Sequence, residues 1–157
     1  TKHTVLRHSN IYGPHDKYDL ERSHVFGATI TKVMTNTNGV LNVWGTGEGG
    51  RDLLHVDDLM DFIECAVTRQ ESQYELFNVG LGEATKIIDL VKKIIFHSGK
   101  QLEIEHDLSK PTIPTSLFLD CTKAKELIGW EPKISIDEGI KKTLLWYQEN
   151  LMDVDDE

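Results

Sequence analysis

The sequence predicts an α/β fold with at least part of a parallel sheet, and three observations carry that reading. Short apolar or β-branched runs alternate with amphipathic helical stretches along most of the chain. Turn and stop residues punctuate them at Gly13-Pro14, Asn36-Thr37-Asn38-Gly39, Gly80, Ser98-Gly99 and Gly129. No composition break divides the 157 residues, a length that one domain can fill with a real core. The expected organisation is one unit over residues 1–151 and an acidic tail over 152–157.

Each element has a local reason. Thr4 to Ile11 begins extended and apolar, then turns at Gly13-Pro14; a strand so placed needs sheet neighbours if it is central. Residues 15–23 are polar and read as a loop. His24 to Met34 carries Val25, Ala28, Ile30 and Val33, an imperfect helical stripe. Val40 to Trp44 alternates as a strand does, and Gly45-Thr46-Gly47-Glu48-Gly49-Gly50 reads as a flexible loop behind it.

Asp57 suits the N-cap of the next helix, in which Leu59, Phe62, Ile63, Ala66 and Val67 form the best amphipathic stripe of the chain. Glu75 to Val79 reads as a strand, and Ile87 to Ile95 as a helix. Leu102, Ile104 and His106 mark a short strand. Pro111 and Pro114 make residues 109–116 an extended loop. Thr122 is expected to cap a short helix over 123–128, and Ile136, Ile140, Leu144, Tyr147 and Leu151 give a last helix its buried stripe.

Composition narrows the function classes. With 39% apolar and 27% charged residues the chain is globular rather than disordered. A net charge of −9 argues against non-specific nucleic-acid binding, yet leaves room for an anionic small molecule held by a few local cations. Asp153, Asp155, Asp156 and Glu157 read as a frayed tail. Cys65 and Cys121 read as free thiols in a reducing, cytoplasmic setting. The seven histidines are scattered without ligand spacing, so no metal site is expected. No apolar run approaches the roughly 20 residues of a membrane helix, and no membrane role is expected.

The candidate site residues each have two readings. The glycine run at 45–50 is followed by Arg51-Asp52-Leu53-Leu54-His55 and not by a helix, so it suits the flank of a site better than a phosphate cradle. Arg51 beside it reads equally as a bidentate diphosphate ligand or as an ion-pair partner of Asp52, Asp57 or Asp58. His24 is a substrate-facing acid/base or a cap-region residue, and Lys32 shares its helix face two turns on, or is simply solvated. Trp44 is core or a stacking platform. Tyr12 has Asp16, not Lys, four residues on, and no productive Tyr-x-x-x-Lys pair occurs.

These runs together carry a resemblance. Ser9-Asn10-Ile11-Tyr12-Gly13-Pro14-His15-Asp16, Ser23-His24-Val25, Val43-Trp44-Gly45-Thr46-Gly47, Arg51 through Asp58, Phe77-Asn78-Val79-Gly80, Ser109-Lys110-Pro111 and Leu119-Asp120 are the matching segments. They resemble the C-terminal part of extended short-chain dehydrogenases/reductases, within the epimerase/dehydratase family, on the GDP-L-fucose synthase branch. The resemblance runs from Thr4 to about Leu151. It implies the C-terminal half of an extended Rossmann-like reductase: a partial parallel sheet with packed helices plus a small substrate-binding subdomain. It also implies an NADP-dependent 3,5-epimerase/4-reductase acting on GDP-4-keto-6-deoxy-mannose.

By position, the resemblance implies that His8, Ser9, Asn10 and Ile11 lie along the nicotinamide end of NADP, mainly through backbone atoms. His24 matches a catalytic histidine that protonates the sugar carbanion. Lys32, Trp44 and Arg51 match residues that hold the GDP sugar, with Arg51 on the diphosphate. The glycine fingerprint, the Ser and Tyr-x-x-x-Lys set and a cysteine base would come from an upstream half. After Ser109-Lys110-Pro111 the family continues with Gly and a Pro-Arg-Lys step. Here Thr112 to Phe118 departs from it and leaves the sugar open.

Two further readings stand beside this one. The chain could be a non-catalytic interaction module that pairs its sheet edge with a separate nucleotide-binding half, or with a second copy as a homodimer. It could also derive from another nucleotide-sugar epimerase or dehydratase of the same family. On the first reading the chain alone binds a GDP sugar and transfers no hydride.

Overall fold

The computed structural model describes residues 1–110 and 112–152. The elements in order are β1 (His3–His8), β2 (Asn10–Tyr12), α1 (Val25–Met34), β3 (Val40–Trp44), β4 (Gly50–Arg51), β5 (Leu53–His55) and α2 (Val56–Arg69). Then come β6 (Tyr74–Val79), β7 (Thr85–Lys86), α3 (Ile87–Ser98), β8 (Glu103–Asp107), α4 (Thr122–Ile128) and α5 (Ile136–Tyr147), followed by a π turn at Gln148–Met152. The architecture is α/β, and its longer strand pairings, β1 with β6, β2 with β5 and β3 with β8, are all parallel. The short β4–β7 pair is antiparallel.

The strand expected over 4–11 is two strands that change partner at Ser9. Ser9 N–H donates to the Val79 carbonyl at 2.9 Å, and Asn10 N–H to the Asp52 carbonyl at 3.1 Å. The chain thereby steps from pairing with β6 to pairing with β5. Along β5 the side chains alternate, so Leu53 packs into one core and Leu54 into another. The first core joins Tyr12, Phe26, Ile30, Leu90, Ile94 and Ile140, drawn from β2, α1, α3 and α5. The second joins Phe62, Phe77, Val79, Ile128 and Trp130, from α2, β6, α4 and the turn after it. The β2–β5 pair is the wall between them.

Several local expectations are corrected. His55, not Asp57, caps α2: its Nδ1 accepts from the Asp57 N–H at 3.2 Å, while Asp57 lies in the first turn and pairs with Lys142 at 3.2 Å. Thr122 is the first residue of α4 rather than its cap, and Asp120 Oδ1 accepts from its N–H at 3.0 Å. Leu151 lies beyond α5 and is 44% exposed.

The α2 stripe is narrower than its pattern. Phe62 and Ala66 are buried and Leu59 partly so, but Ile63 and Val67 point outward beside Met60. Sequence periodicity placed all five on a single buried stripe, and only part of that stripe meets this chain's core. The loop over 109–116 has no regular structure where it is described, with Pro111 outside the described residues. The acidic residues of the tail, 153–157, also lie outside them.

Candidate functional site

Helix α1 divides its residues between two surroundings. Phe26, Ile30 and Val33 face the core, while Val25, Ala28, Thr29 and Lys32 line an open cavity of about 510 Å³. The imperfect stripe of the sequence therefore mixes a core face with a cavity face. The opposite walls come from the end of β3, the glycine run after it, Arg51, and Thr112 to Pro114.

The glycine run is anchored, which corrects the expectation of a flexible loop. Ile87 and Ile88, at the start of α3, donate their N–H groups to the carbonyls of Gly49 and Gly47 at 3.0 and 2.9 Å. Lys86 and Glu48 pair at 2.7 Å, and this bond holds the Glu48 carboxyl below its ordinary range. His106 Nδ1 donates to the Gly45 carbonyl at 2.7 Å. Glycine is required because a second segment lies against the run. A β-carbon on Gly45 would fall 1.9 Å from Thr112 Cγ2, and one on Gly50 would fall 2.0 Å from Ser116 Oγ. The run is thus filled by protein and offers no phosphate cradle.

Among the described residues Arg51 takes none of the three ion pairs its acidic neighbours offer. Its Nη1 donates to the carbonyls of Gly50 at 2.7 Å and Thr115 at 3.1 Å, while Nε and Nη2 have no hydrogen bond among the described residues. Asp52 is buried and turned the other way: Oδ1 accepts from Leu81 N–H at 2.8 Å, and Oδ2 from Leu119 and Gly82 N–H at 3.0 and 3.4 Å. Asp58 is also buried, and its carboxylate accepts from Lys133 and Ile134 N–H, both at 3.0 Å. The Asp-rich run is therefore scaffold, while the arginine beside it faces the cavity.

Lys32, Trp44 and Arg51 meet around this one cavity. Trp44 is 55% exposed, so it is not core, and its ring stays open to contact. His24 occupies the N-cap position of α1 without a side-chain capping bond and is exposed. Its neighbours Ser23 and Val25 line the cavity, and His24 does not. His8 to Ile11 lie apart from it: His8 is exposed, Asn10 Nδ2 donates to the Asp52 carbonyl at 3.0 Å, and Ile11 packs on the second core.

Sequence reasoning did not single out Lys110 as a site residue, and it left the substrate contact near Thr112 open where Thr112 to Pro114 form a wall of the cavity. The Ser109-Lys110-Pro111 run was the signal available for Lys110. A smaller cleft of about 280 Å³ beside Cys121 and Trp130 holds one lysine, Lys125, already paired with Glu131 at 2.6 Å.

A dinucleotide fits this chain only in part. Ser9 Oγ is buried without a hydrogen-bond partner, a polar atom available to a ligand edge. However, the N–H groups of Ser9 and Asn10 are already donated within the fold. Among the described residues no glycine loop opens a helix to receive the phosphates.

The chain belongs to the NAD dependent epimerase/dehydratase family, whose model matches residues 1–80. It is 36% identical over 150 residues to the probable GDP-L-fucose synthase 1 of Oryza sativa subsp. japonica, covering 92% of this chain and 44% of that protein. To the GDP-L-fucose synthase of Escherichia coli (strain K12) it is 34% identical over 154 residues, 90% of this chain and 47% of that one.

Among solved structures, a UDP-glucose 4-epimerase with UDP-glucose from the hyperthermophilic Thermotoga maritima superposes with a TM-score of 0.81 at 31% identity, covering 94% of this chain and 46% of that one. RMD from Pseudomonas aeruginosa complexed with NADPH shares the fold, with a TM-score of 0.79 at 20% identity over 94% of this chain and 49% of that one. The chain spans under half the length of each of these proteins.

Proposed function

We propose that this chain forms the nucleotide-sugar-binding portion of a GDP-L-fucose synthase-like enzyme, an NADP-dependent 3,5-epimerase/4-reductase acting on GDP-4-keto-6-deoxy-mannose. The observation that carries the reading is the meeting of Lys32, Trp44 and Arg51 around one cavity, with the Arg51 guanidinium half-engaged by carbonyls and half free. A cation fork, a second cation and an aromatic face are what a nucleoside diphosphate needs. The identity to fucose synthases supports the guanosine assignment.

His24 is proposed as the proton donor to the sugar carbanion, since its exposed imidazole opens the helix that lines the cavity. NADP in the whole protein would meet His8 to Ile11 along its nicotinamide end, with Ser9 Oγ as the side-chain contact. Bound there, it would supply the hydride for the reduction. The residues of this chain would hold the sugar nucleotide and move a proton, and alone they bind without hydride transfer.

Calorimetry with GDP-mannose, GDP-fucose and UDP-glucose tests the reading. Binding of the GDP sugars, lost in Arg51→Ala, is expected; no heat with any guanosine nucleotide would refute it.

A second reading, as a module that pairs with a separate nucleotide-binding half, draws on β1 and α2. In β1 every residue but Leu6 is exposed, and Met60, Ile63 and Val67 are 58%, 38% and 79% exposed along one side of α2. The two readings are compatible, because an apolar helix face and a one-sided strand are suited to a covering layer.

A further inference from the structure

Trp44 carries two cations on its ring. Lys32 Nζ and Lys110 Nζ each lie 5.6 Å from the ring centroid. Lys32 belongs to helix α1, and Lys110 to the segment after β8 that continues into the cavity wall at Thr112. Neither ammonium forms an ion pair among the described residues.

The nearby acids take other hydrogen-bond partners, although the Asp107 carboxyl also feels the charge of Lys110. Glu48, on the cavity wall, is held by Lys86 at 2.7 Å. Asp107 Oδ1 accepts from Ser109 Oγ and N–H at 2.6 and 3.1 Å. A chain of net charge −9 thus lines one opening with Lys32 and Arg51, and sets Lys110 beside it on the Trp44 ring, none of the three in an ion pair among the described residues. That local imbalance suits a polyanion.

We propose that Lys110 is a phosphate-binding residue of this cavity, and that in the free protein its ammonium rests on the Trp44 ring. The proposal rests on the nucleotide reading of the cavity and adds the residue that links its two halves. Lys32 stands on a helix and Arg51 is tied to Gly50 and Thr115, so Lys110, exposed on an irregular segment, is the cation free to travel. Phosphate oxygens are a stronger partner for an ammonium than an exposed π face. A phosphate-bearing ligand therefore draws Lys110 off the ring and bares that face of Trp44 for a base. A neutral nucleoside must displace the lysine with nothing in return. Base stacking and phosphate contact are coupled through one side chain.

The test titrates guanosine, GDP and inorganic pyrophosphate into the full chain and into Lys110→Met, which keeps an aliphatic stem on the ring. Binding is followed by calorimetry and by tryptophan fluorescence, with Trp44→Phe identifying the Trp44 signal. Pyrophosphate alone is expected to change the Trp44 emission of the wild type. In Lys110→Met that change should vanish, GDP and pyrophosphate should bind about fivefold more weakly, the upper end for one exposed ion pair, and guanosine should bind as well or better.

Equal affinity of both proteins for pyrophosphate, or no response of the wild type to it, overturns the proposal. So does a parallel loss for guanosine and GDP, which means that the lysine only packs on the ring. Lys110-dependent pyrophosphate binding, with GDP no tighter than pyrophosphate, instead upholds Lys110 and removes the nucleotide reading.

Discussion

Arg51 and Asp52 are neighbours in sequence and opposites in space. The guanidinium reaches Thr115 O at 3.1 Å on the cavity side, while the Asp52 carboxylate is buried behind it and accepts from Leu81, Gly82 and Leu119. The pair fixes the direction of the arginine, because the strand it sits on is pinned from the back by the aspartate. Asp52→Ala strands three backbone donors and is expected to cost about 3 kcal/mol by urea denaturation. Asp52→Asn keeps one acceptor oxygen and should cost about 1–2 kcal/mol. Arg51→Ala should leave stability within about 0.5 kcal/mol, since it removes a partly exposed side chain and no buried partner.

His55 gives the fold a pH dependence. Burial pushes its imidazole below the ordinary histidine range, and Nδ1 accepts the helix N–H, so the neutral ring is the form that fits. The unfolded chain binds the proton more readily than the folded one. Its contribution is therefore complete above about pH 6.5 and is lost as pH falls below that toward the lower folded value. His55→Asn keeps a capping acceptor and removes the titration. Its stability should change less than that of the wild type between pH 7 and 5, measured by urea denaturation at each pH.

The contact between the glycine run and the segment over 112–117 predicts a paired effect. Gly50→Ala places a methyl group 2.0 Å from Ser116 Oγ and should displace the segment that holds Arg51 through Thr115. A loss of about 1–3 kcal/mol in stability is expected, as for overpacking. Ser116→Gly, combined with it, should recover most of that loss. Additive losses in the double variant would mean that the two positions do not share this contact.

Exposed apolar side chains on α2 predict self-association or capture of a covering layer. Light scattering over a concentration series should show mass rising with concentration for the wild type. The rise should diminish in Met60→Gln/Val67→Lys. A wild-type monomer at every concentration would contradict the interaction reading.

Much of this was legible in the residues. The α/β order, the α1 helix and the irregular loop at 112–116 follow from pattern, whereas Lys32, Trp44 and Arg51 were brought together by the family resemblance, their patterns alone leaving each with two readings. Three features did not follow, each for a physical reason. β5 is three residues long and buried on both faces, so Leu53-Leu54-His55 shows no alternation to read. His55 caps α2 with a ring nitrogen, a role that a nearby aspartate fills more often. Lys110 reaches Trp44 only because β8 pairs with β3 in the register that sets Asp107 beside Trp44. That is a tertiary fact about residues far apart in sequence.

A crystal structure of the chain with GDP-mannose tests the central claim most directly. The account predicts the diphosphate on the free side of the Arg51 guanidinium, opposite Thr115, with the base against the Trp44 ring and helix α1 beside it. A GDP-mannose bound elsewhere, or no density in this cavity at saturating ligand, would contradict it.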